Sequence, residues 1–367
     1  MAGNGSLREV AERAGVSTAT VSRVVNGRKG IAQATRKRVQ SVIDDMGYVP
    51  DPKVGQFFKT VRGGIRGVAF ALHPDLHGRI AHGGDGFYAR MSLALHAELS
   101  RCEHHMILAN SVTDGTPDGN LNCLAQGLCN GVIGQLRDPT LIARLARHAP
   151  LVLLNADHAV PYVDVVIPNV ERAAEQQIAH LAALGHKKVA CFRPRHAVDG
   201  SITWQDRRYW RAYRELCPEH GMSVPDEYLL PVDCDVDKDA VAIAQFLDQV
   251  FARPEIAPTA ILTYDGYAGE LIRQLGERGL QVPEDVSIVG YDDCTHDHPC
   301  PLALTTFRQD FQGMARHAVR LLLERLEDPK RSAVLMEVEG KFIERKSTAP
   351  PRLTAGSRVQ KQEAYVS

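Results

Sequence analysis

Thr18, Ala19, Ser22 and Arg23 fall on one side of a short helical stretch, and Val21, Val24 and Val25 fall on the other. Small side chains and one arginine, presented outward on a helix, have the size and the donors needed to enter a DNA major groove. An arginine can make two parallel hydrogen bonds to guanine O6 and N7, worth roughly 1–3 kcal/mol of discrimination against another base. Thr18 offers a methyl to thymine or a hydroxyl to either base class, whereas Ala19 offers only apolar contact. The same small size would also serve simply to let the helix approach closely, so both readings of Thr18 and Ala19 stand.

Those residues need elements that hold them in place. Leu7, Val10, Ala11 and Ala14 recur at i, i+3, i+4 and i+7, one apolar face of a first helix. Gly15 stops it, and the Ser17 hydroxyl can cap the next. A third helix is expected from Ala32 to Met46, closing a small core with Val39, Val42, Ile43 and Met46 before Gly47 ends it. Charge follows the same division. No acidic residue lies between Glu12 and Asp44, while Arg13, Arg23, Arg28, Lys29, Arg36, Lys37 and Arg38 all do. Residues 1–63 carry a net charge of +6 and the remainder −7, within a total of −1. A cationic head suits a phosphate backbone, and an anionic body suits a part that must not adhere to it.

At 367 residues the chain is long enough for two or three domains with cores of their own. Its 44% hydrophobic and 24% charged residues are those of an ordinary globular protein, which sets aside a disordered or fibrous class. No window approaches the roughly 18 apolar residues of a membrane span. MAGNGSLREVAERAG has no apolar signal-peptide core, so a cytoplasmic protein is expected. The eight cysteines form no CxxC pair and read as reduced thiols rather than as a disulfide or zinc framework.

From Ile65 onward the pattern changes to apolar runs alternating with helical stretches: VAFAL (68–72), HHMILAN (104–110), GVIGQL (131–136), PLVLLN (150–155), KKVACF (187–192), AILTY (260–264) and VSIVGYDD (286–293). Short continuous apolar strands separated by helices indicate parallel sheets covered on both faces, here in two lobes with a cleft between them. Such lobes bind small ligands beyond the carboxyl ends of their strands. The residues there are His73 to Asp75, Asn110, Asn155, Arg193, Tyr264 and Asp265, and Tyr291, Asp292 and Asp293. Between them, HPDLHGRIAHGGDG (73–86) holds His73, His77 and His82 at spacings of four and five, which favours a solvent-exposed lid over a metal-ligand set. No Gly-x-Ser-x-Gly elbow, Walker loop or HExxH occurs, so neither a catalytic nor a metal site is assigned, and no cofactor is expected.

VAERAGVSTATVSRVVNG, TRKRVQ and GYVPDP at this spacing resemble the DNA-binding head of the lactose-repressor-type (LacI/GalR) family of bacterial transcription regulators. The resemblance continues through HLAALGHKKVA, VPEDVSIVGYDD, LALTTFRQDFQGMARHAVRLLLERL and FIERKSTAPP, leaving only the last fifteen or so residues uncovered. It implies an all-α helix-turn-helix head (1–49), a hinge helix (50–63), and an α/β body of two doubly wound parallel-sheet lobes, similar to periplasmic sugar-binding proteins (64–350). The lobes are expected at about 64–162 plus 295–328 and about 163–294 plus 329–350, followed by a disordered polar tail (351–367). Ala32 stands where the family usually has a capping serine, a loss of about 1 kcal/mol if nothing replaces it.

The implied function is a homodimeric regulator, most often a repressor, that binds a roughly palindromic operator in double-stranded DNA and answers to a small-molecule effector, a sugar first. The head would contact DNA through Ser17, Thr18, Ala19, Thr20, Ser22, Arg23, Asn26, Arg36 and Tyr48. In the hinge, Asp51 and Pro52 start a helix that Gly55 weakens, and Lys53 suits a phosphate. Phe57 or Phe58 would wedge the minor groove, or else pack on the body. Carried over by position, Asp292 would accept hydrogen bonds from the effector, and Arg207 or Arg208 of DRRYWRAY would face the same cleft, with Trp210 interrupting the family's pattern there. Tyr264 and Asp265 stand where many relatives have Asn-Asp; Asn155 and Phe87 are the first-lobe candidates. An enzyme or a solute-binding module using the same cleft is the alternative function.

Overall fold

The computed structural model describes residues 7–25, 31–46, 66–72, 86–110, 122–125, 128–136, 138–156, 162–194, 204–232, 236–294 and 300–352. The hinge with Lys53, Phe57 and Phe58, the His73–His82 loop, Asn26, Tyr48 and the tail from residue 353 lie outside them, as do the side chains of Ser22 and Phe87. The chain divides into two units between Ile65 and Arg66.

The described residues of the first unit form three helices, α1 (Leu7–Ala14), α2 (Thr18–Val25) and α3 (Gln33–Met46). Gly15 takes φ +59°, a left-handed conformation that glycine adopts without strain. The turn is closed by Val16 N–H to Ala11 O at 3.0 Å and Gly15 N–H to Glu12 O at 3.2 Å, the paired bonds of a Schellman stop. Ser17 Oγ accepts from Thr20 N–H at 3.2 Å and so caps α2. Val10, Ala11, Ala14, Val21, Val24, Val39 and Ile43 form the core, with Val16, Ile31, Val42 and Met46 packed against it. Helix α3 begins one residue later than expected; Ala32 sits at its cap, its carbonyl accepting from Arg36 N–H at 2.9 Å and its side chain supplying no oxygen.

The second unit holds two six-stranded sheets. In the first, β1 (Arg66–Leu72), β2 (His104–Asn110), β3 (Cys129–Gln135), β4 (Leu151–Leu154), β5 (Asp164–Pro168) and β11 (Leu335–Val338) lie parallel in the order β11-β5-β4-β3-β1-β2. The second has the order β12-β10-β9-β8-β6-β7, built from β6 (Val189–Pro194), β7 (Leu229–Val232), β8 (Ala260–Leu262), β9 (Ser287–Tyr291), β10 (Thr305–Arg308) and β12 (Lys341–Ile343). Among the described strands only β12 runs antiparallel, against β10.

Each sheet has an apolar cluster on either face, as continuous hydrophobic strands require. Helices α4 (Gly86–Arg101) and α11 (Phe311–Glu327) cover one face of the first sheet, and α5 (Asn122–Ala125) and α6 (Pro139–His148) the other. On the second sheet, α7 (Val170–Ala183) and α8 (Trp204–Glu219) face α9 (Val236–Phe251) and α10 (Asp265–Glu277) across the strands.

Strand membership moves the expected lobe boundaries. β5 pairs with β4 at Val152↔Asp164, so the chain crosses between lobes after Pro168 rather than near 162. β10 pairs with β9 at Thr305↔Val289, so the return comes after Arg308 rather than near 295. β11 joins β5, and the last crossing falls between Val338 and Lys341 rather than near 328. Two of the crossings are bonded together: Asn169 N–H donates to Val338 O at 2.9 Å, and Asn169 Oδ1 caps α7 by accepting from Arg172 N–H at 2.9 Å.

One buried charge cluster ties the first lobe to its late segment. Asp164, fully buried, accepts from Arg325 Nε at 2.6 Å, Arg331 Nη2 at 2.7 Å and Val334 N–H at 2.9 Å. Removing one partner of such a cluster leaves the others uncompensated in a poorly solvated place. Asp164→Asn should therefore lower stability by about 3–5 kcal/mol, read as a lower midpoint of urea unfolding; an unchanged midpoint would show that the two arginines find water.

Candidate functional site

On the first unit, α2 buries Val21 and Val24 and leaves Thr18, Ala19 and Arg23 exposed, with Thr20 half-buried beside its capping partner Ser17. Ser17 Oγ and Thr20 Oγ1 are 2.9 Å apart, so these two hydroxyls serve the helix start. Arg36 is half-buried on α3. Thr18, Ala19 and Arg23 are thus presented together on one capped helix.

In the second lobe the carboxyl ends of the three neighbouring strands β6, β8 and β9 carry Arg193, Tyr264 and Tyr291. Arg193 is 1% exposed. Its Cζ lies 3.7 Å from the ring centre of Tyr209, 4.5 Å from Tyr264 and 4.9 Å from Tyr291, and its Nε lies 3.1 Å from Asp206 Oδ1 without hydrogen-bond alignment. Burial alone would disfavour the charge, but the surrounding Tyr264, Asp206 and Tyr209 outweigh it and keep the guanidinium protonated. Burial likewise pushes the Tyr264 and Tyr291 hydroxyls well above their usual range, so both remain donors. Tyr264 donates to Asp206 Oδ1 at 3.3 Å. Arg193 Nη2, the Tyr291 hydroxyl, Thr263 Oγ1, Gln309 Oε1 and, at the end of β4, Asn155 Oδ1 are buried with no hydrogen-bond partner among the described residues. Unpaired buried polar atoms are costly, which makes those at the strand ends candidate ligand contacts.

The turn after β9 is strained. Asp292 has φ +102° and Asp293 φ +56°, both in the left-handed region and neither a glycine. Asp293 is held by Arg308 Nε at 2.7 Å and Arg345 Nη1 at 2.7 Å. Burial would raise its pKa, but Arg345 and Arg308 outweigh that and hold it below the usual carboxylate range. Asp292 N–H donates to Phe307 O at 2.8 Å, and its Oδ1 accepts from Gln309 Nε2. Asn155 also takes a left-handed φ of +47°.

Other expected residues sit differently. Arg207 is exposed, and Arg208 is engaged by Glu171 and Glu337. Helix phase is the reason: Asp206, Tyr209 and Tyr213, at i, i+3 and i+7, take the inward face of α8, so neither arginine joins the buried group. The buried arginine is instead Arg193, which ends the apolar run KKVACF and was legible only as a strand-end residue. Asp265, 1% exposed, accepts from Thr306 Oγ1 at 2.7 Å and from Cys294 N–H at 2.8 Å. It fills the space over Gly290, where any Cβ would collide with its Oδ1, which explains the glycine of GYDD. Among the described residues no cluster of histidine, cysteine or acidic side chains could hold a metal, and no helix is long and apolar enough to cross a membrane.

Comparison with known proteins places these features. A model of bacterial regulatory proteins of the lacI family matches residues 6–51, and one of a periplasmic binding protein-like domain matches residues 178–348. The HTH-type transcriptional repressor PurR of Aliivibrio salmonicida is 27% identical over 352 residues, spanning 93% of this chain and 98% of its own. PurR of Vibrio atlanticus is 27% identical over 348 residues, spanning 93% and 97%. Among solved structures, the complex of the transcriptional regulator CelR with cellobiose superposes with a TM-score of 0.63 at 25% identity, over 94% of this chain and 99% of that one. The lac repressor dimer bound to operator and the anti-inducer ONPF has the same fold, with a TM-score of 0.64 at 22% identity over 95% and 100%.

Burial pushes the Asp265 carboxyl up to about 8 from an ordinary 3.8. The folded protein then holds a proton that the unfolded chain has lost, so the Asp265 contribution to stability falls as pH rises from about 4 to about 8, by up to about 1.4 kcal/mol per pH unit. Asp265→Asn should remove that contribution, so its stability should change more positively with pH than the native protein's in urea titrations between pH 5 and 8; parallel slopes for the two proteins would show the carboxyl to be ionised throughout.

Proposed function

The chain belongs to the lacI family of bacterial regulatory proteins, and from that premise we propose how its two units divide the work. It is a DNA-binding transcriptional repressor whose body binds a small-molecule effector and which acts as a dimer. In this reading α2 enters the major groove of an operator half-site, Arg23 reads a guanine, and Thr18 and Ala19 shape the contact beside it. The observation that carries the reading is α2 itself: capped by Ser17, anchored inward by Val21 and Val24, and presenting Thr18, Ala19 and Arg23 outward. Ser22, Asn26, Arg36, Tyr48 and the hinge residues Lys53, Phe57 and Phe58 are proposed to add backbone and minor-groove contacts. Two-fold symmetry then asks for a roughly palindromic site, and an operator in the chromosome makes the cytoplasm the place of action.

For the effector we take a sugar, held at the strand ends of the body. Tyrosine faces at Tyr264 and Tyr291 suit the apolar faces of a pyranose, and the unpaired groups of Arg193, Tyr291, Gln309 and Asn155 suit its hydroxyls. Asp292 is the proposed acceptor, aimed by its strained turn, with Asp265 supporting that turn from beneath. Phe87 remains a first-lobe candidate. Exposed Leu93 and Leu108 on the first lobe and Val241 on the second are proposed to meet a second copy of the chain. The body is read as a binding module, with no catalytic role assigned.

Selection of bound sequences from a random DNA pool should enrich a palindrome; a folded dimer that enriches none would overturn the operator reading. Arg23→Ala should cost roughly 10–100-fold in discrimination at one base pair per half-site while weak, salt-dependent binding persists. Equal loss on all sequences would remove its reading role. With the enriched palindrome in hand, a sugar panel that includes cellobiose can be screened for operator release by fluorescence anisotropy. Asp292→Ala should raise the releasing concentration at least about tenfold, on the order of one lost charged hydrogen bond, with operator affinity unchanged. Arg193→Met should raise it likewise while also lowering the urea midpoint, because Asp206 loses its buried cation. An unaltered response in both would place the effector elsewhere.

A further inference from the structure

Helix α8 belongs to the second lobe, yet its first two turns touch the first. Trp204 packs on the first-lobe cluster that includes Ala156, Leu153 and Ile142. Gln205 Nε2 donates to Ala156 O at 3.2 Å. Arg208 Nη2 lies 2.8 Å from Glu337 Oε1 on β11, the edge strand of the first sheet. Residues 204, 205 and 208 stand at i, i+1 and i+4, one side of the helix start. The neighbouring side carries Asp206 and Tyr209, which hold Arg193. One helix end is therefore shared by the strand-end arginine and the contacts between lobes.

Within that end Arg208 has the strongest cross-lobe partner. Its side chain is 13% exposed and lies under the Trp204 ring at 5.0 Å. From its own lobe, Glu171 on α7 binds it twice, at Nε (3.2 Å) and Nη2 (2.9 Å), and these bonds hold the Glu171 carboxyl below its usual range. Glu171 and Glu337 each lie next to a crossing of the chain between lobes, at Pro168–Val170 and Val338–Lys341. Arg208 thus spans the two acidic groups that flank the hinge of the body.

We infer that Arg208 is a positioning residue that sets the angle between the two lobes, anchored by Glu171 and reaching across to Glu337. The inference rests on the reading of the body as two lobes whose arrangement responds to an effector. A ligand that draws on Arg193 competes with Asp206 and Tyr209 on the same helix end, and so bears on the Arg208–Glu337 contact. The lobes then differ in energy between arrangements because one keeps this contact and the other gives it up.

The test uses the full-length dimer without operator or sugar, with a donor and an acceptor dye placed in one protomer at exposed Ala146 (first lobe) and Gln249 (second lobe). Glu337→Gln removes the cross-lobe ion pair while Glu171 still holds Arg208, so no buried charge is stranded and the variant folds. It should widen the interlobe distance distribution and shift its mean. Arg208→Lys, which keeps the charge, should fall between this variant and the native protein, and Glu171→Gln, which loosens the anchor but keeps the cross-lobe pair, should shift the mean less than Glu337→Gln. A native distribution in Glu337→Gln, or an equal shift in Glu171→Gln, would overturn the assignment. Because distance is read without DNA, a failed operator selection would strike the regulator reading and leave this result intact.

Discussion

A guanidinium with 1% exposure cannot rely on water, and the second lobe is arranged around that requirement. Arg193 is compensated by one carboxylate and by three tyrosine faces, which come from β8, β9 and α8 and meet it at the end of β6. Aromatic faces attract a cation strongly only where water is excluded, so the packing of Tyr209, Tyr264 and Tyr291 and the charge of Arg193 depend on one another. The first lobe has the opposite arrangement, with the Asp164 carboxylate between Arg325 and Arg331. In both lobes one charge, out of reach of solvent, joins segments that are distant along the chain.

Strain is concentrated where the ligand is proposed to bind. Two successive aspartates with positive φ cost on the order of 1–3 kcal/mol each, and the fold restrains them from several sides. Asp293 is clamped by two arginines, Asp292 is bonded to β10, and Asp265 packs beneath the turn against Gly290. The head shows the reverse economy. Its turns use residues suited to their conformations, Gly15 and Ser17, and its charge stays on the outside where phosphates are met.

Much of the fold was legible in local pattern. The helices of the head follow from apolar spacing, a glycine stop and a serine cap, all of which act within a few residues. The seven strand runs read from the sequence are strands, because parallel sheets buried on both faces require continuous apolar segments. β5, β7, β10, β11 and β12 were not legible: DVVIP, LLPV, TTFR, LMEV and KFI are short and defined by the neighbour each pairs with. That is why the expected crossings between lobes fell several residues early.

The same division separates the two proposed sites. Along α2, helix periodicity alone decided which side chains face outward, so Thr18, Ala19 and Arg23 could be named from their spacing. At the strand ends, spacing could name Asp292 and Tyr264 but could not rank Arg193 above Arg207 or Arg208. Which arginine is buried depends on the phase at which α8 docks against the second sheet, and which one bridges the lobes depends on where β11 brings Glu337. Sequence by itself determined the local elements, the charge division between head and body, and which side chains of α2 face outward, because those depend on near neighbours. Only the tertiary structure decided the buried cation and its partners, because desolvation and pairing arise when residues far apart in the chain exclude water together.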